Sequence, residues 1–202
     1  MRVPREFGLA GVELEPGDHV CGFYYGDDER DAILLPYLEA GLREGDRCLG
    51  VVDTTDPAAV LRRLDPELDA PGCAASRQLL LWPSTETYLR GGRFSPDWMS
   101  EFWEEQVRAA AADGYDLARV VGEMSWLSRV ELDRKLLVAY EGWAHRFAAL
   151  HGQVLLCLYD VSRLGSGILV DLLKTHRKLL LGGLVLENPH HLTGSEFATT
   201  SP

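Results

Sequence analysis

The chain contains no stretch approaching the roughly 18 consecutive apolar residues of a membrane-spanning helix. Its N-terminus, Met1-Arg2-Val3-Pro4-Arg5-Glu6, has no apolar core of a secretory signal, so a cytoplasmic protein with no membrane partner is expected. Positive charge is scarce: 20 Lys and Arg stand against 31 Asp and Glu, a formal net charge of −11. The closest basic pairs, Arg62-Arg63 and Arg177-Lys178, fall far short of the clusters that neutralise phosphate, which argues against direct nucleic-acid binding. Cysteine occurs only at Cys21, Cys48, Cys73 and Cys157, with no CxxC spacing, so neither a zinc knuckle nor a redox motif is indicated. Cys21, Cys48 and Cys157 lie inside apolar runs and read as small buried hydrophobes.

Catalytic signatures are missing too. The turn after the first apolar run reads Tyr24-Tyr25-Gly26-Asp27-Asp28-Glu29-Arg30, with no GxxxxGK[ST]. It is acidic where phosphates need backbone amides and a lysine, so ATP hydrolysis of the usual kind is not expected. Gly182-Gly183 is not GxGxxG and reads as a hairpin or bulge. Gly165-Ser166-Gly167 lacks the spacing of a nucleophile elbow.

What is present is the pattern of one soluble α/β domain spanning 1–202, with a core over about 17–191, a lead-in over 1–16 and a tail over 192–202. Strands are expected at His19–Tyr25, Arg47–Asp53, Gln78–Pro83, Tyr115–Val121 with a tip to Trp126, Gln153–Asp160, and an apolar stretch Leu179–Leu186. Between them the spacing predicts helices to about Glu44, after Pro57, from Pro96 to Asp113, over Glu131–His151 and over 166–176. Thr55 or Asp56 and Ser95 stand as N-caps before Pro57 and Pro96. Pro36 inside the first helix predicts a kink. The face of the Glu131–His151 helix carries Leu132, Leu136, Tyr140, Trp143, Phe147 and Leu150. Pro66 and Pro71-Gly72 mark a surface connection, and Ser84–Arg93 a polar and aromatic loop. This order implies a three-layer, mostly parallel sheet with helices on both faces.

Ligands of open α/β sheets sit at strand C-terminal ends. Tyr24, Tyr25, Trp82, Tyr88, Phe94, Met124, Trp126 and Tyr159 fall at or just beyond such ends, which fits a pocket for a small, largely apolar ligand. The carboxylates Asp53, Glu123 and Asp160 could serve as bases, or as helix N-caps. His19 and Cys21, two apart on one strand, face the same side, and His176, His190 and His191 add imidazoles. No recognised ligand spacing results, so no metal and no other cofactor is expected.

Several segments carry a family resemblance: His19-Val20-Cys21 with Phe23-Tyr24, Tyr37–Gly45, Thr87–Phe94, and Gly122-Glu123-Met124-Ser125-Trp126. Cys157-Leu158-Tyr159-Asp160, Thr175-His176, and Gly183 with Glu187-Asn188-Pro189 complete the set. In this order the chain resembles the MEDS family, the sensory domain named for methanogens, methylotrophs and a dichloromethane-responsive regulator. The resemblance implies a RecA/KaiC-like core with the Walker A loop absent. It also implies a sensory role toward hydrocarbon derivatives, coupled to a DNA-binding, kinase or anti-sigma output. Two positions depart from the family: Arg177 follows His176 where proline is frequent, and His190-His191 replace aromatics. No helix-turn-helix or kinase segment is seen outside the core, so the expected partner is a separate regulatory protein (kinase, anti-sigma factor or transcription factor). RecA-like ancestry leaves room for a homo-oligomer.

The resulting expectation is a non-catalytic sensory domain, with no catalytic residues. Its small-molecule ligand would meet His19, Tyr24, Tyr88, Glu123, Trp126, Tyr159 and His176 at the strand C-terminal edge, with Ser84–Arg93 as the moving loop. Two alternatives are a residual nucleotide binder or enzyme of the RecA-like lineage using Glu123, and a ligand-free protein–protein adaptor.

Overall fold

Apolar runs too uniform for a half-exposed strand become parallel strands covered on both faces. The structure, a computed structural model, describes residues 5–192. Its strands are β1 (Ala10–Gly11), β2 (His19–Tyr24), β3 (Arg47–Val52), β4 (Leu79–Pro83), β5 (Ala118–Glu123), β6 (Val154–Asp160), β7 (Lys178–Leu181) and β8 (Leu184–Glu187). They form one sheet in the order β1-β8-β7-β2-β6-β5-β3-β4. β2 to β7 run parallel, while β8 turns back antiparallel to β7. Every residue of β2, β3, β5 and β6 is buried.

Helices α1 (Gly26–Arg43), α2 (Pro57–Arg63) and α3 (Ala70–Ala75) cover one face, packing Leu34, Tyr37, Leu38, Val60 and Ala70 against Val20, Val52, Val121 and Leu156. Helices α4 (Pro96–Ala112), α5 (Arg134–His151) and α6 (Ser166–Thr175) cover the other, with Trp103, Tyr140, Phe147 and Leu172 against Cys21, Leu49, Val120 and Cys157. Among the described residues, no helix is long and apolar enough to cross a membrane.

Local chemistry sets several boundaries as expected. Asp56 caps α2 by accepting from the Ala58 amide at 2.8 Å, and Ser95 caps α4 by accepting from the Trp98 amide at 3.3 Å. Gly182 and Gly183, with φ of 55° and 80°, make the β7–β8 hairpin turn that residues with a Cβ rarely adopt.

α1 continues across Pro36. Three features differ from the sequence expectation. Residues 70–75, expected as a surface connection, form α3 behind an Asp69 cap that accepts from the Gly72 amide at 3.0 Å. The lead-in is docked: β1 pairs with β8, Phe7 and Leu14 are buried, and Arg119 donates to the Glu6 carbonyl at 2.6 Å. The expected face of α5 is also rotated. Leu136 is 38% and Leu150 79% exposed, while Leu137, Tyr140, Glu141, Ala144, Phe147 and Ala148 are buried. The true stripe uses two alanines and an acid, which a count of large apolar residues passes over. The expected tail beyond Leu192 lies outside the described residues.

Gly122 on β5 matters for close approach rather than for dihedral freedom. A Cβ there would stand 2.4 Å from the Tyr88 hydroxyl. Gly122→Ala is therefore expected to displace Tyr88 and cost about 1–3 kcal/mol in chemical denaturation. An unchanged midpoint would show that Tyr88 is not held against the sheet.

Candidate functional site

Successive side chains of a strand point to opposite faces, and this alternation divides the seven expected residues. All seven are buried, but they do not share one pocket. Tyr24 and Glu123 point to the α1 face of the sheet. Tyr88, Trp126 and Tyr159 lie on the α5 face, where His19 and His176 meet Glu141 of α5.

On the α1 face, Glu123 at the end of β5 is a hub. One oxygen accepts from the Asp53 amide at 2.7 Å, and the other from the Thr54 hydroxyl at 2.7 Å and amide at 3.3 Å. Tyr24 Oη and Ser125 Oγ each lie 3.3 Å from the same Oε1, and share a hydrogen bond with each other at 2.6 Å. The buried Arg30 guanidinium stands 3.5 Å from Oε1 and also grips Asp31 at 2.7 Å. Burial and the neighbouring Glu123 charge push the Tyr24 phenol far above its usual range. A carboxylate offers about four lone-pair sites, and these donors occupy them. Beside the hub, Asp53 is clamped by Arg129 and accepts from Ser84. The first turn of α1 holds Asp27, Asp28 and Glu29, and Glu29 accepts from the Tyr25 amide at 2.8 Å. Side-chain carboxylates thus occupy the helix start that would cradle phosphate in a nucleotide-binding loop.

On the α5 face, Tyr88 stacks on Trp126 at 5.1 Å between ring centroids, and Phe94 packs on Trp126 at 4.9 Å. Tyr140 meets Phe94 edge-on at 5.2 Å and accepts from the Trp103 indole at 3.1 Å. The Trp126 Nε1 hydrogen is buried without an acceptor among the described residues. In the same layer, His176 Nε2 lies 3.1 Å from both His19 Nε2 and Glu141 Oε2. His19 Nε2 lies 3.3 Å from Glu141 Oε2 and 3.3 Å from Cys157 Sγ. Tyr159 donates to Glu141 Oε1, and His176 Nδ1 lies 2.9 Å from both the Leu172 carbonyl and the Thr175 hydroxyl. Burial, then the His176 charge, pushes His19 down to about 4. Burial alone would raise Glu141, but hydrogen bonds from His176 and His19 hold it well below the usual carboxylate range. Burial and the Glu141 charge raise the Cys157 thiol and the Tyr159 phenol.

His19, Glu141, Cys157 and His176 therefore bring four metal-type donor atoms within 4.8 Å of one another, all buried. Cys21, expected to face the same side as His19, is not among them, and neither are His190 and His191. Sequence reasoning missed Glu141 and took Cys157 for a plain hydrophobe. The available signal was an acid on the apolar stripe of a helix, four residues after Leu137 and three before Ala144. Asn188 supports the group by donating to the His176 carbonyl at 2.7 Å and the Leu173 carbonyl at 2.6 Å. Two surface depressions, of about 470 Å³ along α4 and about 190 Å³ beside Pro36, touch none of the seven expected residues.

The architecture is shared with a KaiC-like protein from Pyrococcus horikoshii OT3 (TM-score 0.59, 12% identity, covering 86% of this chain and 77% of the other). It is shared also with the flagellar accessory protein FlaH from Methanocaldococcus jannaschii (TM-score 0.57, 14% identity, covering 91% and 82%). The fold is thus RecA-like. Over 178 residues the chain is 28% identical to the transcriptional repressor DcmR of Methylorubrum extorquens, a match covering 83% of this chain and 61% of the repressor. The chain so spans about three-fifths of the length of that curated relative. The family description MEDS, "MEthanogen/methylotroph, DcmR Sensory domain", matches residues 18–177. The chain belongs to the MEDS sensory-domain family.

Proposed function

We propose that this protein is a non-catalytic sensory domain of the cytoplasm that takes a small, largely apolar ligand of the hydrocarbon-derivative class on the α5 face of its sheet. It passes its state to a separate regulatory protein, a kinase, an anti-sigma factor or a transcription factor. The observation that carries the reading is the contrast between the two faces. Glu123, the carboxylate a RecA-like enzyme would use, is satisfied by its own neighbours. The α5 face instead holds Trp126 Nε1 and His19 Nδ1, both buried without hydrogen-bond partners among the described residues, beside the ring cluster of Tyr88, Phe94 and Trp126. Unpaired buried polar groups carry a desolvation cost of about 1–3 kcal/mol each, which a ligand with an acceptor atom relieves.

Tyr88, Trp126, Tyr159, His19 and His176 then bound the ligand, while Tyr24 and Glu123 hold the strand tips from the opposite face. Tyr88 lies between the short 3-10 turns Ser84–Glu86 and Arg90–Gly92, so displacing it moves the Ser84–Arg93 segment. That segment reaches Asp53 and Arg129 through Ser84, which couples the α5 face to the strand edge. A ligand that binds one arrangement of this segment better shifts its population.

The test is thermal stability during titration with dichloromethane, methanol and related short-chain alcohols and haloalkanes. At 100-fold excess over Kd, one of these should stabilise the fold by about 2.7 kcal/mol. Tyr88→Ala should remove the shift. A shift that survives in Tyr88→Ala would move the ligand to another surface.

A further inference from the structure

We infer that His19, Glu141, Cys157 and His176 form a binding site for one divalent transition-metal ion of zinc-like preference, buried between α5 and the sheet. The inference goes beyond the sensory reading and stands without it, because it rests on donor geometry alone.

The Nε2 atoms of His19 and His176 and the Oε2 atom of Glu141 form a triangle with edges of 3.1, 3.3 and 3.1 Å. A single proton can bridge only one edge of such a triangle at a time. His176 Nδ1 lies 2.9 Å from both the Leu172 carbonyl and the Thr175 hydroxyl, which anchors that side of the ring and turns Nε2 into the triangle. With the His176 proton on Nδ1 and Glu141 ionised, one proton on His19 Nε2 leaves the His176 Nε2 lone pair facing a carboxylate oxygen at 3.1 Å. Protonating both rings at Nε2 instead sets two N–H groups against each other at 3.1 Å. A cation at the centre satisfies all three edges at once.

Four of the six donor–donor distances match those of a tetrahedral ion, and all six lie within 4.8 Å. Bonds of about 2.0–2.1 Å to nitrogen and oxygen and about 2.3 Å to sulfur place neighbouring donors roughly 3.3–3.6 Å apart. The triangle and the His19–Cys157 contact of 3.3 Å lie within a few tenths of an ångström of that. Mixed imidazole, thiolate and carboxylate ligation suits Zn²⁺, with Co²⁺ as its spectroscopic substitute, rather than Mg²⁺ or Ca²⁺.

Charge closes the argument. A divalent ion with one thiolate, one carboxylate and two neutral imidazoles is net neutral, and these four side chains are buried. A neutral assembly avoids the cost of a lone buried charge. On binding, Cys157 loses its thiol proton to solvent as the metal–sulfur bond forms. Outer contacts are already in place. Tyr159 donates to the second oxygen of Glu141, and the Leu172 carbonyl fixes the His176 ring.

The experiment is elemental analysis of the full chain without a histidine tag, after chelation, reloading with Zn²⁺ under reducing conditions and gel filtration. The expected result is about one zinc per chain. Cys157→Ser and His176→Gln should each lower affinity by about 10-fold or more, and His190→Ala with His191→Ala should not. Co²⁺-loaded wild type should show a thiolate-to-cobalt charge-transfer band. That last measurement decides the matter even where the variants fail to fold. Folded wild type that takes up no zinc, a cobalt spectrum without the thiolate band, or full retention in both ligand variants would each overturn the site. None of these readouts involves an organic ligand, so failure here leaves the sensory reading standing, and failure of a ligand titration leaves the metal site standing.

Discussion

Replacing Glu123 by alanine is expected to destabilise the fold by about 3–5 kcal/mol, the range for breaking a buried ion pair by removing one partner. The loss is large because several groups depend on this one side chain. The Asp53 and Thr54 amides, the Thr54 hydroxyl and the Tyr24 phenol lose an acceptor, and Arg30 loses one of its carboxylates. Arg30 keeps Asp31, which places the effect toward the lower end. For a chain of this size each kcal/mol moves Tm by about 2–4 °C, so the shift is easily read. Glu123→Gln retains one acceptor oxygen and should cost about 1–3 kcal/mol. A loss below about 1 kcal/mol in the alanine variant would mean that the carboxylate is not a structural hub, and would return it to the list of catalytic groups.

Trp126→Ala is the second large effect, about 3–5 kcal/mol. The indole is fully buried against Tyr88 and Phe94, so its removal leaves a cavity between rigid rings. An apolar cavity of that kind stays dry and takes up small apolar molecules. Benzene added to the variant should therefore restore part of the lost stability in thermal melts, and should leave the wild type unchanged. Failure of benzene to restore anything would show that the 84–94 segment collapses into the space. The ring cluster would then be too soft to form a pre-shaped ligand wall.

The strands and caps were legible because their signals are local. Continuous apolar runs mark β3, β5 and β6, and Asp56-Pro57 and Ser95-Pro96 mark helix starts. The division of the site was harder to read. Tyr24 and Tyr159 both stand near strand C-terminal ends, yet period-2 alternation sends them to opposite faces. Grouping residues by strand end alone merged two sites into one. The buried donor cluster was illegible for another reason. Its members are spread from position 19 to position 176, and the pairing of β2 with β6 and β7 and the docking of α5 bring them together. Glu141 sat unread on a helix stripe that includes two alanines. The docking of residues 7–14 was missed because Gly8 and Gly11 interrupt the apolar residues Phe7, Leu9, Val12 and Leu14, which leaves no regular helix or strand run.

The most direct test of the sensory account is a parallel titration of the intact protein with Mg·ATP and with a panel of short-chain haloalkanes and alcohols, read by calorimetry and by Trp fluorescence. The account predicts saturable binding of at least one panel member, with a fluorescence change that Trp126→Phe diminishes, and no heat from Mg·ATP. Binding or turnover of Mg·ATP, or no saturable response across the whole panel, would contradict it.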